Sequence, residues 1–162
     1  MAAVTSLTAL GILTGCSSTS LEPLAPIAKA PAASTPAVPR PSGPSIKLIR
    51  PAEGPALAAF NGTTAKGVDI GGKQGDSIVA AADGRVSYVG RNVRRYGDMI
   101  IVSHNGVFLT AYTHTSRILV KENDIVRQGQ KIAEMGDSGT DRVKLHFELR
   151  RYGIAVNPQP YF

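Results

Sequence analysis

An all-β fold, antiparallel and turned on glycine, is what this 162-residue sequence predicts, and three observations predict it. Glycine (17) and proline (11) are plentiful and tryptophan is absent, a mix that suits short strands and tight turns better than packed helices. Over 143–150 apolar and polar residues alternate: Val143, Leu145, Phe147 and Leu149 on one side, Lys144, His146, Glu148 and Arg150 on the other. Period two is that of a strand with one face in a core and one facing a groove or solvent. Several other short apolar runs are divided by turn dipeptides, and no stretch carries the pattern of a long helix.

Taken in order, residues 4–13 form an apolar run too short to span a bilayer but suited to the core of a secretory signal. It leads into Leu13-Thr14-Gly15-Cys16, which resembles the lipobox of bacterial lipoproteins. That resemblance implies that Cys16 becomes the lipidated first residue of the mature chain. Ser17 follows it, not the aspartate that favours inner-membrane retention, which implies an outer-membrane lipoprotein facing the periplasm. With one cysteine, no intrachain disulfide is available and the fold must hold by packing. Residues 17–45 are mostly proline, alanine, serine and threonine with few large apolar side chains; they cannot offset their ordering entropy and are expected to be a disordered tether. A folded domain is expected over 46–162, its first stretch transitional because Pro51 and Pro55 argue against a long helix.

Within the domain, 77–81 reads as a strand and Asp83-Gly84 as a tight turn. Strands are expected at 85–89, 99–103 and 107–112, split by Tyr96-Gly97-Asp98 and by Asn105-Gly106, the latter a strong hairpin signal. Further strands are expected at 117–120, 131–135 and 144–150.

Eighteen lysines and arginines against twelve acids give a net charge of +6, which points to an acidic partner or surface. The interleaving of basic and aromatic residues that single-strand binders use is absent, so nucleic acid is not expected as a partner. Among candidate site residues, Asp69 lies near glycines and reads first as a turn or cap. His104, just before Asn105-Gly106, reads as a hairpin residue; His114 ends an aromatic strand; His146 projects from the polar face of the last long strand. Asp69, His114 and His146 would make a mixed histidine and carboxylate set, but their spacing alone identifies no site.

Five segments together say more. Lys66-Gly67-Val68-Asp69-Ile70, Ala81-Ala82-Asp83-Gly84-Arg85-Val86, Ala111-Tyr112-Thr113-His114, the run from Val126 to Ala133 and Leu145-His146-Phe147-Glu148 resemble, in order, the LytM or lysostaphin-type zinc endopeptidases of the bacterial cell wall. The resemblance implies a lysostaphin-type sheet sandwich, the duplicated hybrid motif. In that family His-x-x-x-Asp supplies two zinc ligands, the second histidine of His-x-His a third, and a further histidine joins the first of that pair in catalysis. By position, Asp69, His146 and His114 are kept, whereas Ala65 stands in the place of a ligand and Lys144 in that of the catalytic histidine.

Catalytic zinc needs three protein ligands and a water. At about 6 Å and an effective dielectric of about 20, the Lys144 ammonium would repel a divalent ion by roughly 5 kcal/mol. The expectation is therefore a degenerate, non-hydrolytic domain with a vestigial site at Asp69, His114 and His146 and no metal. No lysine sits at a Met-Lys-Met-like hairpin tip, so no covalently carried cofactor is expected either. Within the family the resemblance is to lipoproteins that activate N-acetylmuramoyl-L-alanine amidases for septal peptidoglycan splitting at cell division. It implies an amidase partner gripped in the vacated groove, with Lys66, Arg95, Tyr96, Lys144 and Arg150 as contacts because they are basic or aromatic near it. A passive peptidoglycan-binding module, or a zinc endopeptidase with His104 as substitute ligand, are the alternatives.

Overall fold

The computed structural model describes residues 45–162. Cys16, the signal segment and all but the last residue of the tether lie outside the described residues.

Eleven strands and a single-turn 3-10 helix, Gln159–Tyr161, make up the domain. The strands are β1 Ala56–Ala58, β2 Val68–Gly71, β3 Ser77–Val79, β4 Gly84–Val93, β5 Gly97–Ser103, β6 Phe108–Thr113, β7 Thr115–Ile118, β8 Ile125–Val126, β9 Lys131–Met135, β10 Lys144–Arg151 and β11 Ile154–Val156. Eight of them form one sheet in the order β1-β2-β10-β6-β5-β4-β8, with β11 on β10; β3, β9 and β7 form a second. Every pairing is antiparallel.

The alternation over 143–150 holds. Leu145, Phe147 and Leu149 are fully buried, and Val143 packs at the core's margin. They join Val68, Ile70, Val86, Ile100, Val102 and Tyr112 of the large sheet and Ile78, Ile132, Ala133 and Met135 of the small one in a single hydrophobic core. Each such fully buried large side chain contributes about 1.5–3 kcal/mol. The Phe147 ring sits between Tyr112 (centroids 5.4 Å) and Phe162 (6.0 Å), so the last residue also caps the core.

Asn105-Gly106 does close a hairpin, between β5 and β6. Gly106 takes φ +73°, and Asn105 Oδ1 accepts the N–H groups of Val107 (3.3 Å) and Phe108 (3.2 Å). Asp83-Gly84 differs from expectation: it carries the chain from the small sheet to the large one, because β3 pairs with β9 while β4 pairs with β5 and β8. The strand expected over 77–81 stops at Val79. Beyond it the Ala81 N–H leaves the ladder to donate to the Tyr112 hydroxyl at 2.8 Å. β4 extends four residues past the expected 89, its register with β5 shifting at irregularities between Val86 and Tyr88 and between Gly90 and Val93. Asp69 also differs: it is the second residue of β2, not a turn or cap.

Candidate functional site

Register builds the site. β2 runs antiparallel to the first half of β10 with Asp69 opposite His146 and Gly71 opposite Lys144. Because side chains alternate across a strand, Lys144, His146, Glu148 and Arg150 all leave the face of β10 away from the core. On that face they meet Asp69 and form an unbroken chain of opposite charges.

Lys144 Nζ donates to Asp69 Oδ2 at 2.8 Å, and His146 Nδ1–H donates to Asp69 Oδ1 at 2.6 Å. On the other side of the ring, His146 Nε2–H donates to Glu148 Oε1 at 3.2 Å, and Arg150 closes the chain on Glu148 Oε2 through Nε (2.8 Å) and a terminal nitrogen (2.6 Å). Both nitrogens of His146 face carboxylates, so both donate and the ring is an imidazolium. The titration behaviour agrees. Burial works against the charged ring, but the hydrogen bonds to Asp69 and Glu148 outweigh it and raise His146 to about 9. Burial likewise opposes ionisation of Asp69, yet its bonds from His146 and Lys144 lower it to about 2. Glu148, whose side chain is 1 % exposed, is held below its usual range against burial by His146 and Arg150.

His114 approaches from the end of β6 in the left-handed region (φ +64°), its ring 6.3 Å from that of His146. Its Nδ1–H donates to the Ser138 carbonyl at 2.8 Å, and burial pushes its pKa down, so it is a neutral imidazole. Asp69, His114 and His146 thus lie together around one end of β10.

Around them lies a groove of about 670 Å³ lined by Ala58, 63–66, Asp69, Arg95, Tyr96, His114, Lys144, His146 and Glu148. One wall is the turn before β2, where Asn61 Oδ1 accepts the N–H groups of Thr63, Thr64 and Ala65 (3.0, 3.1 and 2.9 Å) and fixes the backbone at Ala65, which lines the groove. The other wall is the β4–β5 loop, which brings Arg95 and Tyr96. Of the five residues expected to contact a partner, Lys66, Arg95, Tyr96 and Lys144 line the groove and Arg150 does not. Its guanidinium is engaged by Glu148, beyond the lining. Glu148 itself was not among the expected site residues, although the alternation of β10 already placed it on the polar face. Ala58 and the Thr63-Thr64 pair carried no signal in the sequence.

His104 is elsewhere. Its Nδ1 bonds the Asp83 carbonyl (2.7 Å) and its Nε2 the Thr110 hydroxyl (2.8 Å), beside a separate surface hollow. With both nitrogens engaged there, it does not serve as a substitute ligand in this arrangement.

The residues present do not fit a catalytic zinc ion. Ala65 offers no donor atom, both His146 nitrogens are protonated against carboxylates, and an ammonium lies on the Asp69 oxygen a metal would need. Among the described residues no group of three or more histidine, cysteine or acidic side chains is arranged to hold a metal.

Residues 63–158 match the sequence pattern of peptidase family M23. The chain is 46% identical over 128 residues to the lipoprotein NlpD/LppB homolog of Pseudomonas aeruginosa, covering 77% of this chain and 43% of that protein. To the murein hydrolase activator NlpD of Escherichia coli it is 47% identical over 113 residues, 68% of this chain and 30% of that one. The chain therefore spans less than half the length of these relatives. Among solved structures, a zinc-containing peptidase from Vibrio cholerae superposes with a TM-score of 0.63 at 27% identity, over 70% of this chain and 38% of that one.

Proposed function

The chain belongs to peptidase family M23, and we propose that it is a non-catalytic member, an activator of murein hydrolases that presents its vacated groove to a partner enzyme. The observation that carries this reading is the placement of Lys144 Nζ 2.8 Å from Asp69 Oδ2, an internal cation where hydrolysis requires a metal. Similarity to a protein named murein hydrolase activator supports the role. The partner is an N-acetylmuramoyl-L-alanine amidase acting on septal peptidoglycan at division. The groove grips a regulatory segment of that amidase and favours its open state, a shift that needs differential affinity for the two states and no chemistry in the groove. Lipidation of Cys16 would hold the protein at the outer membrane facing the periplasm, in keeping with relatives named lipoproteins.

Dye release from labelled peptidoglycan tests the reading, with the chain alone, a periplasmic amidase alone, and both together, zinc supplied throughout. The expected result is release above the amidase's own rate only with both, reduced by Lys66→Glu, a change at an exposed groove residue. Release by the chain alone would make it an enzyme. No stimulation, with the chain co-sedimenting with the wall, would make it a passive wall-binding module.

A further inference from the structure

Charge inside the groove is mostly settled within the chain. Lys144 and His146 are matched by Asp69 and Glu148, the second of which also holds Arg150. Two lining cations remain without an acidic partner. Lys66 Nζ donates only to a neutral carbonyl, that of Gly62 at 2.6 Å, and the guanidinium of Arg95 makes no hydrogen bond or ion pair among the described residues. They stand on opposite walls. Lys66 precedes β2 and Arg95 follows β4, and in the sheet β10, which carries His146, β6, which His114 follows, and β5 run between β2 and β4.

Arg95 has a second property. Its φ is +73°, the left-handed region that L side chains other than asparagine and aspartate rarely adopt and that glycine enters at no steric cost. The loop does not leave it a choice. Tyr96 N–H donates to the Val93 carbonyl (3.0 Å), the Tyr96 carbonyl accepts the His114 N–H (3.0 Å), and Asp98 N–H donates to Ser138 Oγ (2.9 Å), so the backbone on either side is pinned. An arginine thus occupies a position where glycine would be more comfortable, and among the described residues its side chain makes no hydrogen bond or ion pair in return.

Resting on the activator reading, we infer that Arg95 is the specificity-determining contact of the groove, and that its ligand is an acidic polypeptide segment of the partner. Such a segment sets one carboxylate on Arg95 and a second on Lys66 across the groove. The planar guanidinium suits two-point recognition of a carboxylate, which an ammonium cannot reproduce. Tyr96 beside it and Ala58 and Ala65 opposite supply apolar wall for the rest of a polypeptide, which favours a protein segment over a bare anion.

The test uses the full chain with the amidase, reading the concentration for half-maximal stimulation of dye release alongside the melting temperature. Arg95→Gly removes the side chain and the backbone strain together. It should melt no lower than the parent yet need at least tenfold more protein for the same stimulation, with Arg95→Lys in between and the parent weakening as salt is raised. Stimulation by Arg95→Gly equal to the parent's, while Lys66→Glu remains defective, would overturn the inference and leave the activator reading standing. No stimulation by the parent chain would overturn both. Unchanged stimulation with lost co-sedimentation on purified peptidoglycan would also overturn it, moving the acidic ligand from the amidase to the wall.

Discussion

Lys144 and Asp69, 75 residues apart in sequence, meet with Nζ 2.8 Å from Oδ2, and both side chains are less than one-fifth exposed. Asp69 is shared: His146 holds its other oxygen at 2.6 Å. The pair places a lysine ammonium on the carboxylate that the enzymes of this family use to hold a metal, and the neighbouring charges are arranged around it.

Lys144→Ala removes one of two partners from a carboxylate that is mostly out of water. The fold should lose about 1–3 kcal/mol, read as a lower urea midpoint, and Asp69 should titrate closer to its ordinary 3.8. An unchanged midpoint would mean that the pair contributes nothing net.

Stability should fall on the alkaline side. His146 is raised from 6.5 to about 9, so its contribution is fully present below pH 6.5 and is lost as pH rises through about 9, an effect of at most about 3 kcal/mol. Asp69 works in the opposite sense: lowered from 3.8 to about 2, its contribution is present above pH 3.8 and lost as pH falls through about 2. His104 and His114, kept neutral chiefly by burial, add a further loss as pH drops below 6.5. Urea unfolding at pH 6.5 and 9.5 should show the alkaline loss in the parent and little of it in His146→Gln. Equal alkaline losses in the two proteins would refute the assignment.

Restoring the absent groups should restore metal binding. Ala65→His with Lys144→His supplies a third ligand beside Asp69 and His146 and removes the ammonium, so about one zinc per chain is expected after dialysis and elemental analysis. Ala65→His alone should bind at least tenfold more weakly because Lys144 stays. Stoichiometric zinc in the unaltered chain would contradict the geometry.

Tyr112→Phe tests the join between the sheets. The buried hydroxyl accepts the Ala81 N–H at 2.8 Å and bonds Thr110 at 3.0 Å, and burial raises its pKa to about 12. Its loss leaves a buried N–H unpaired and should cost about 1–3 kcal/mol by urea titration. Tyr88→Phe, at a side chain 40 % exposed with no comparable bond, should be close to neutral.

How much of this was legible in the chain differs from element to element. β10 was, because a half-buried strand writes its two faces into alternate residues, and the β5–β6 hairpin was, because an Asn-Gly turn stores its geometry locally. β1, β8 and β11 were not. Three residues or fewer carry no period, and each is a strand only because β2, β4 or β10 offers an edge to pair with. Asp69 read as a turn residue because its glycine neighbours suggested one. Yet Gly67 is there for close packing: a Cβ on it would lie 2.2 Å from the Phe147 carbonyl oxygen, so the glycine lets β2 lie against β10.

By itself the sequence determined the fold class, the polar face of β10 and the absence of a donor at Ala65, since each is a matter of residue type or local period. Tertiary structure alone decided what those charges do. The register of β2 on β10 puts Asp69 between Lys144 and His146, and Glu148 engages Arg150 outside the groove lining, which leaves Arg95 and Lys66 as the groove-lining cations without acidic partners among the described residues. Charge is a property of a residue, but whether it is already matched depends on distances of a few ångströms between segments far apart in the chain.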